Sequence, residues 1–248
     1  MDYISEYIDH VTSILNTAKT SQHDALEQSA ELLRDVTLSG GNIFAFGCSH
    51  AGLLALELYY RTGGMANINP IRAPGLNLDV DPATLTSQIE RLDKYGAYII
   101  DATPLKSGDV IIIHSVSGRN TVTVDAANRA CEKGAKVIAL TNMATTTAVS
   151  SRHPSGKNLY QCADIVIDNC GDYGDSSIPV PGVPEKVGPT STAVGAALLY
   201  AIVVQAAALI AKTGKTPPVF VSANVEEGDA HNAKMLAEYK EHIFYMGH

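Results

Sequence analysis

The chain has 248 residues, 46% of them apolar and 18% charged, with 18 basic against 26 acidic side chains and a net charge of −8. It is too apolar and too weakly charged to be disordered, and long enough to bury a core without disulfides or a structural metal. The acidic balance, with no basic block, argues against a nucleic-acid or anionic-membrane partner, so an anionic ligand has to be held by local geometry.

Ile4, Tyr7, Ile8, Val11, Ile14 and Leu15 form one helical stripe, and Leu26, Ala30, Leu33 and Val36 another. They predict a helical pair over 3–18 and 22–38, closed by Gly40-Gly41. Asn42 to Phe46 reads as a short strand that runs into Gly47-Cys48-Ser49-His50 and a helix to about Arg61. Ile68 to Ile71 is a second, weak strand. Residues 73–93 carry Pro74, Gly75 and Pro82 and read as a long loop with a short helix near 84–92. Asp109 to His114 is a continuous apolar strand of the kind covered on both faces. Ser115-Val-Ser-Gly-Arg-Asn120 follows it, then a helix to Lys133. Lys136–Thr141 and Asp164–Asp168 are two more strands. Residues 171–189 form a Gly- and Pro-rich loop before an Ala-rich helix, and Pro217–Val221 is a short extended piece. A final helix is expected from about Asp229 to Glu241.

Strands alternating with helices predict an α/β fold with a doubly wound parallel sheet. The expected layout is a single domain over 1–248, with an N-terminal helical pair (about 1–39) and a C-terminal helical extension (about 216–248). Ala193–Ala211 is apolar apart from Gln205 and is read as a buried core helix, not a membrane span. Cys48, Cys131, Cys162 and Cys170 form no C-x-x-C pair, which suits a reducing cytosol. The acidic N-terminus lacks a signal-peptide layout, so a cytoplasmic location is expected.

Doubly wound sheets bind ligands at the carboxyl ends of their strands. Two strand-end loops here are rich in glycine and hydroxyls, Gly47–His50 and Ser115–Asn120. Each precedes a helix, where free N–H groups and the dipole favour an anion, and together they read as a phosphate cradle. Ordinary helix capping by Ser is the other reading of either loop alone. Neither G-x-G-x-x-G nor G-x-x-x-x-G-K-[ST] is present, so a nucleotide is weakly supported.

The Ser115–Asn120 loop resembles the S-x-S-G-x-[TSN] loop of the sugar isomerase (SIS) domain family. Gly47–His50 resembles that family's first hydroxyl loop, and Lys186–Thr192 its third signature, in family order. Ser151–Lys157, Asp168–Gly171 and Ser222–Asn224 resemble a bacterial branch often labelled phosphoheptose-isomerase-like. The resemblance implies a flavodoxin-like, five-stranded parallel sheet and a homodimer or homotetramer with sites near the subunit interface. It implies a phosphorylated sugar, its phosphate held by Cys48 (backbone), Ser49, Ser115, Ser117, Gly118 and Asn120, with Ser191 near the sugar. Cys48 and Asn120 stand where hydroxyls often sit. Cys48 is read as a small loop residue, with a reactive thiol as the other reading. Arg119 is either a phosphate partner or a solvated side chain at the helix start.

Aldose–ketose isomerisation needs a base to move a proton between C1 and C2 and a group to open the ring. Glu57, seven residues after His50, shares a helix face with it and is the first candidate base; an i,i+4 pair with Arg61 is the alternative. His50 is a candidate for sugar binding or catalysis. Glu185 lies within one residue of a glutamate that acts as base in some isomerising members. His231, after Asp229, resembles a histidine that some members receive from a partner subunit; an exposed histidine behind an N-cap is its plain reading. No cofactor and no required metal are expected, because His50 and Glu57 lack the i,i+4 chelating spacing. No G-x-S-x-G elbow supports a hydrolase. The expected function is a phosphosugar isomerase. A phosphosugar lyase cleaving an ether at C3 on the same fold, and a non-catalytic phosphosugar sensor, are the alternatives.

Overall fold

The computed structural model describes residues 2–246; Met1, Gly247 and His248, which the expected domain boundaries include, lie outside the described residues. Five parallel strands form one sheet: β1 (Ile43–Gly47), β2 (Ile68–Pro70), β3 (Val110–His114), β4 (Lys136–Thr141) and β5 (Ile165–Asp168). Their order is β2-β1-β3-β4-β5, the flavodoxin-like order, with the chain reversing direction between β1 and β3. Register sets Gly47 opposite His114 and Thr141 opposite Asp168, so the carboxyl ends of four strands finish level.

The strands are apolar on both sides because both faces are covered. Ile43, Ala45, Val110 and Ile112 point into a core shared with α1 (Tyr3–Ser21), α2 (His23–Ser39), α3 (Gly52–Leu58) and α8 (Ser191–Lys212). Phe44, Phe46, Ile111 and Ile113 point into a second core against α5 (Tyr95–Ala102) and α6 (Thr121–Glu132). Two short helices, α4 (Leu85–Ile89) and α7 (Met143–Thr146), lie in connections, and α9 (Gly228–Glu238) follows the extended segment near Val219. Val219 bridges antiparallel to Met65 beyond the sheet edge. A small third cluster of Ala66, Phe220, Met235 and Ile243 ties the C-terminal segment to that edge.

Three elements differ from the sequence expectation. The helix after β1 starts as a 3-10 turn (Ser49–Ala51) and ends at Leu58, because Tyr59 is extended and Tyr60 sits at φ +47. The final helix ends at Glu238 and is followed by a 3-10 turn over Lys240–His242. Residues 95–102, not read as an element, form α5, which packs Ile99 and Ile100 into the second core. The long apolar α8 meets the length and hydropathy of a membrane span. Val194, Leu198, Ile202, Val203 and Ile210 on it are buried against the sheet and its helices.

Candidate functional site

The switch point of the sheet lies where β1 and β3 end side by side and their chains leave to opposite faces, and the crevice at such a point is the place at which open α/β sheets bind ligands. Two glycines let the backbones come close. A Cβ on Gly47 would stand 2.5 Å from the Ala51 carbonyl oxygen, so only glycine lets the 3-10 turn fold back over the strand end. Gly118 has φ +59, and a Cβ there would lie 3.0 Å from Thr146 Oγ1 and 3.1 Å from Leu159 Cβ. Its N–H donates to Ser115 Oγ at 3.2 Å, which closes the second loop on itself.

Glu90, just past α4, joins the two loops. Ser49 Oγ donates to its Oε1 at 2.5 Å, and Asn120 Nδ2 donates to its Oε2. The Glu90 carbonyl accepts the N–H of Val122 at 3.1 Å, in the first turn of α6. A carboxylate thus occupies hydroxyl and amide donors at a helix N-terminus, the setting that also suits a phosphate. Arg152 completes a chain of bonds, with Nη1 donating to Asn120 Oδ1 at 2.7 Å. Burial and the neighbouring charges of Arg119 and Arg91 hold the Arg152 guanidinium below its ordinary range, while Glu90 acts the other way.

Of the sequence-predicted residues, the structure brings Cys48, Ser49, Ser115, Ser117, Gly118 and Asn120 to the two strand-end loops. Burial pushes the Cys48 thiol up, the Glu90 charge adds to this, and a Thr123 side-chain hydrogen bond opposes it. Ser117 is half-buried. Ser191 is buried at the start of α8, where its hydroxyl donates to Asp175 Oδ2 at 2.5 Å and its N–H to Oδ1 at 2.8 Å. That hydroxyl is committed to Asp175, whose carboxylate also accepts the N–H groups of Thr190 and Ser191 at the start of α8. His50 is exposed in the 3-10 turn.

Glu57 sits at the far end of α3 from that turn and pairs with Arg61 at 2.9 Å, the i,i+4 alternative. Glu185 is exposed in the loop before α8. His231 is exposed on α9, its Nε2–H donating to the Val219 carbonyl at 3.1 Å. None of these three is hydrogen-bonded to either strand-end loop among the described residues. Sequence reasoning missed Glu90 and Arg152, which reach the crevice from segments distant in the chain. It also passed over His114, the last residue of β3, which is 3% exposed. His114 Nδ1–H donates to the Ala51 carbonyl at 3.2 Å, and Nε2 is buried with no partner among the described residues.

A model of the SIS domain matches residues 6–142. The chain belongs to the SIS-domain family. A UPF0309 protein of Shouchella clausii is 42% identical over 99% of this chain and 100% of its own length. Among solved structures, a phosphoheptose isomerase from Francisella tularensis superposes with a TM-score of 0.54 at 17% identity, covering 83% of this chain and 96% of its own. A phosphoheptose isomerase from Neisseria gonorrhoeae gives 0.54 at 18% identity, covering 83% and 97%. At these identities the likeness is one of fold.

Proposed function

We propose that this SIS-domain protein binds a phosphorylated sugar in the β1–β3 crevice and interconverts its aldose and ketose forms. The observation that carries the reading is the Glu90 carboxylate held between Ser49 and Asn120 at the N-terminus of α6. The phosphate displaces the Glu90 carboxylate from Ser49 and Asn120 and sits among Ser49, Ser115, Ser117, Gly118 and Asn120, whose small donors at a helix start favour an anion; Glu90, released from them, is free to act as a base. Glu90 takes the role that the sequence reading gave to Glu57 or Glu185. It accepts the proton from C2 of the open-chain aldose; the C–H electron pair forms the C1–C2 double bond as the C1=O π pair moves to O1, which takes a proton from water to give the enediol. The O2 hydroxyl then gives its proton to water, its electron pair forms the C2 carbonyl, and the C1–C2 π pair takes the proton back from Glu90 at C1. The SIS-domain fold shared with two phosphoheptose isomerases supports the phosphosugar part of this reading.

The test is proton NMR of aldose phosphates in D2O with the wild type and Glu90→Gln. The reading expects deuterium at the exchanging carbon and ketose product with the wild type. With Glu90→Gln it expects neither, although binding persists in calorimetry. Undiminished turnover by Glu90→Gln removes the carboxylate from the mechanism. Loss of a C3 substituent in place of ketose formation makes the protein a lyase.

The subunit arrangement belongs to the same reading. Ala193, Ala197, Ala201, Val204 and Ala208 form an exposed, uncharged face of α8, and Ile4 and Ile8 of α1 are exposed. This face associates with a second copy of the chain. Light scattering should show an oligomer for the wild type and a monomer for Ala201→Arg, and a monomeric wild type would remove this part of the reading.

A further inference from the structure

The segment Ser151-Arg-His-Pro-Ser-Gly-Lys157 lies beside the crevice and takes no part in the scheme above. It is tied down at Arg152 by three bonds. The Arg152 N–H donates to the Arg119 carbonyl at 2.9 Å, its carbonyl accepts Thr121 Oγ1 at 3.3 Å, and its guanidinium reaches Asn120 at 2.7 Å. The next residue anchors the segment to α6. His153 Nδ1 accepts the N–H of Ser155 at 3.1 Å, so the ring proton resides on Nε2, which donates to Asp125 Oδ1 at 3.0 Å. Asp125 is 8% exposed, and its Oδ2 is buried without a partner among the described residues. A carboxylate so desolvated on α6 is costly, and its one side-chain hydrogen-bond partner among the described residues is His153, the neighbour of Arg152.

The charges around Arg152 are unbalanced. Among the described residues, Arg34, Arg61 and Arg129 each pair with a carboxylate, whereas Arg72, Arg91, Arg119 and Arg152 form no ion pair, and the last three belong to this side of the sheet's carboxyl end. Arg119 Nε is buried with no partner among the described residues. Arg91 and Arg119 both lower the affinity of Arg152 for its proton, and Glu90 raises it. Three guanidiniums against the Glu90 and Asp125 carboxylates leave one positive charge for a phosphate anion to neutralise, inside a chain of net charge −8.

We infer that the 151–157 segment is a ligand-binding arm, in which Arg152 supplies charge to a phosphate at the Ser49 and Asn120 donors, and Asp125 and His153 are positioning residues. The inference rests on the phosphate reading above and adds to it the residues that carry the charge.

The test is calorimetric titration of the intact chain with inorganic phosphate at fixed pH and ionic strength. Arg152→Ala should weaken binding about tenfold or more, as expected for loss of a charge-assisted bond. Arg152→Lys should restore part of it, because the charge returns without the planar fork. His153→Ala should weaken binding less, and should add nothing to Arg152→Ala, because it acts through that arginine. Ser49→Ala reports on the cradle separately. Wild-type binding that Ser49→Ala weakens and Arg152→Ala leaves unchanged overturns the arm and spares the phosphate reading. Additive losses in the double variant overturn the positioning role. Absence of phosphate binding by the wild type overturns both the reading and the arm.

Discussion

The buried histidine at the end of β3 makes stability depend on pH in a calculable way. Burial pushes the His114 imidazole down from 6.5 to about 4, with the Ala51 hydrogen bond and the Asp175 charge acting against it. Between those two values the unfolded chain binds the proton and the folded one does not. His114 therefore costs nothing above pH 6.5, and stability falls as the pH drops from 6.5 towards 4. Between pH 7.5 and 5.0 the loss from this one group is about 2 kcal/mol, at about 1.4 kcal/mol for each unit of separation. For a chain of this length that is a fall in Tm of roughly 4–8 °C. Other groups titrate over the same range, so the assay is a comparison: thermal and urea unfolding of the wild type and His114→Asn at both pH values. Asparagine keeps an amide donor for the Ala51 carbonyl and cannot titrate. The variant should be less stable at pH 7.5, from lost packing, but should lose about 2 kcal/mol less than the wild type on acidification. Equal losses in the two proteins would refute the claim that a desolvated, neutral His114 underlies the β1–β3 crevice.

Gly118→Ala places a side chain at φ +59 against Thr146 and Leu159. It should cost about 1–2 kcal/mol in backbone strain alone, a fall in Tm of roughly 2–8 °C by thermal unfolding. Glu57→Gln breaks a half-exposed pair with Arg61 and should change stability by less than about 1 kcal/mol in urea, with turnover unaffected. Loss of turnover would return Glu57 to the mechanism. Cys48 is buried with its thiol pushed up, whereas Cys131 is exposed. Brief iodoacetamide treatment of the native protein, read by mass spectrometry, should modify Cys131 and leave Cys48 intact. Rapid modification of Cys48 would instead make it a reactive thiol of the loop.

The sheet was legible because each of its strands is a short apolar run set between helical stripes, and the two Gly- and Ser-rich loops fall at strand ends. Helix α5 was not. Its sequence Tyr95–Ala102 carries an internal glycine and an apolar core, and Lys94 at its start has φ +63 with no side-chain cap, so no start signal marks it. Glu90 was hidden for a different reason. Its partners lie 41 and 30 positions away, and residues 73–93 have no periodicity to say which side chain turns inward. Arg152 likewise reaches Asn120 across 32 positions. His114 reads in sequence as the last residue of a strand, and the lack of a partner for its Nε2 among the described residues is visible only once the fold has buried the ring against the turn at Ala51. Glu57 stood out because its spacing from His50 is local, and the same locality gave it Arg61 as a partner.

The central claim is that the crevice between the β1 and β3 loops holds the phosphate of a phosphorylated sugar. Its most direct test is calorimetry of the intact wild type and Ser117→Ala with a panel of aldose and ketose phosphates and the same sugars without phosphate. The account predicts saturable binding of at least one phosphorylated sugar, absence of binding for its unphosphorylated form, and a loss of affinity in Ser117→Ala. Binding that ignores the phosphate, or that Ser117→Ala leaves unchanged, would contradict it.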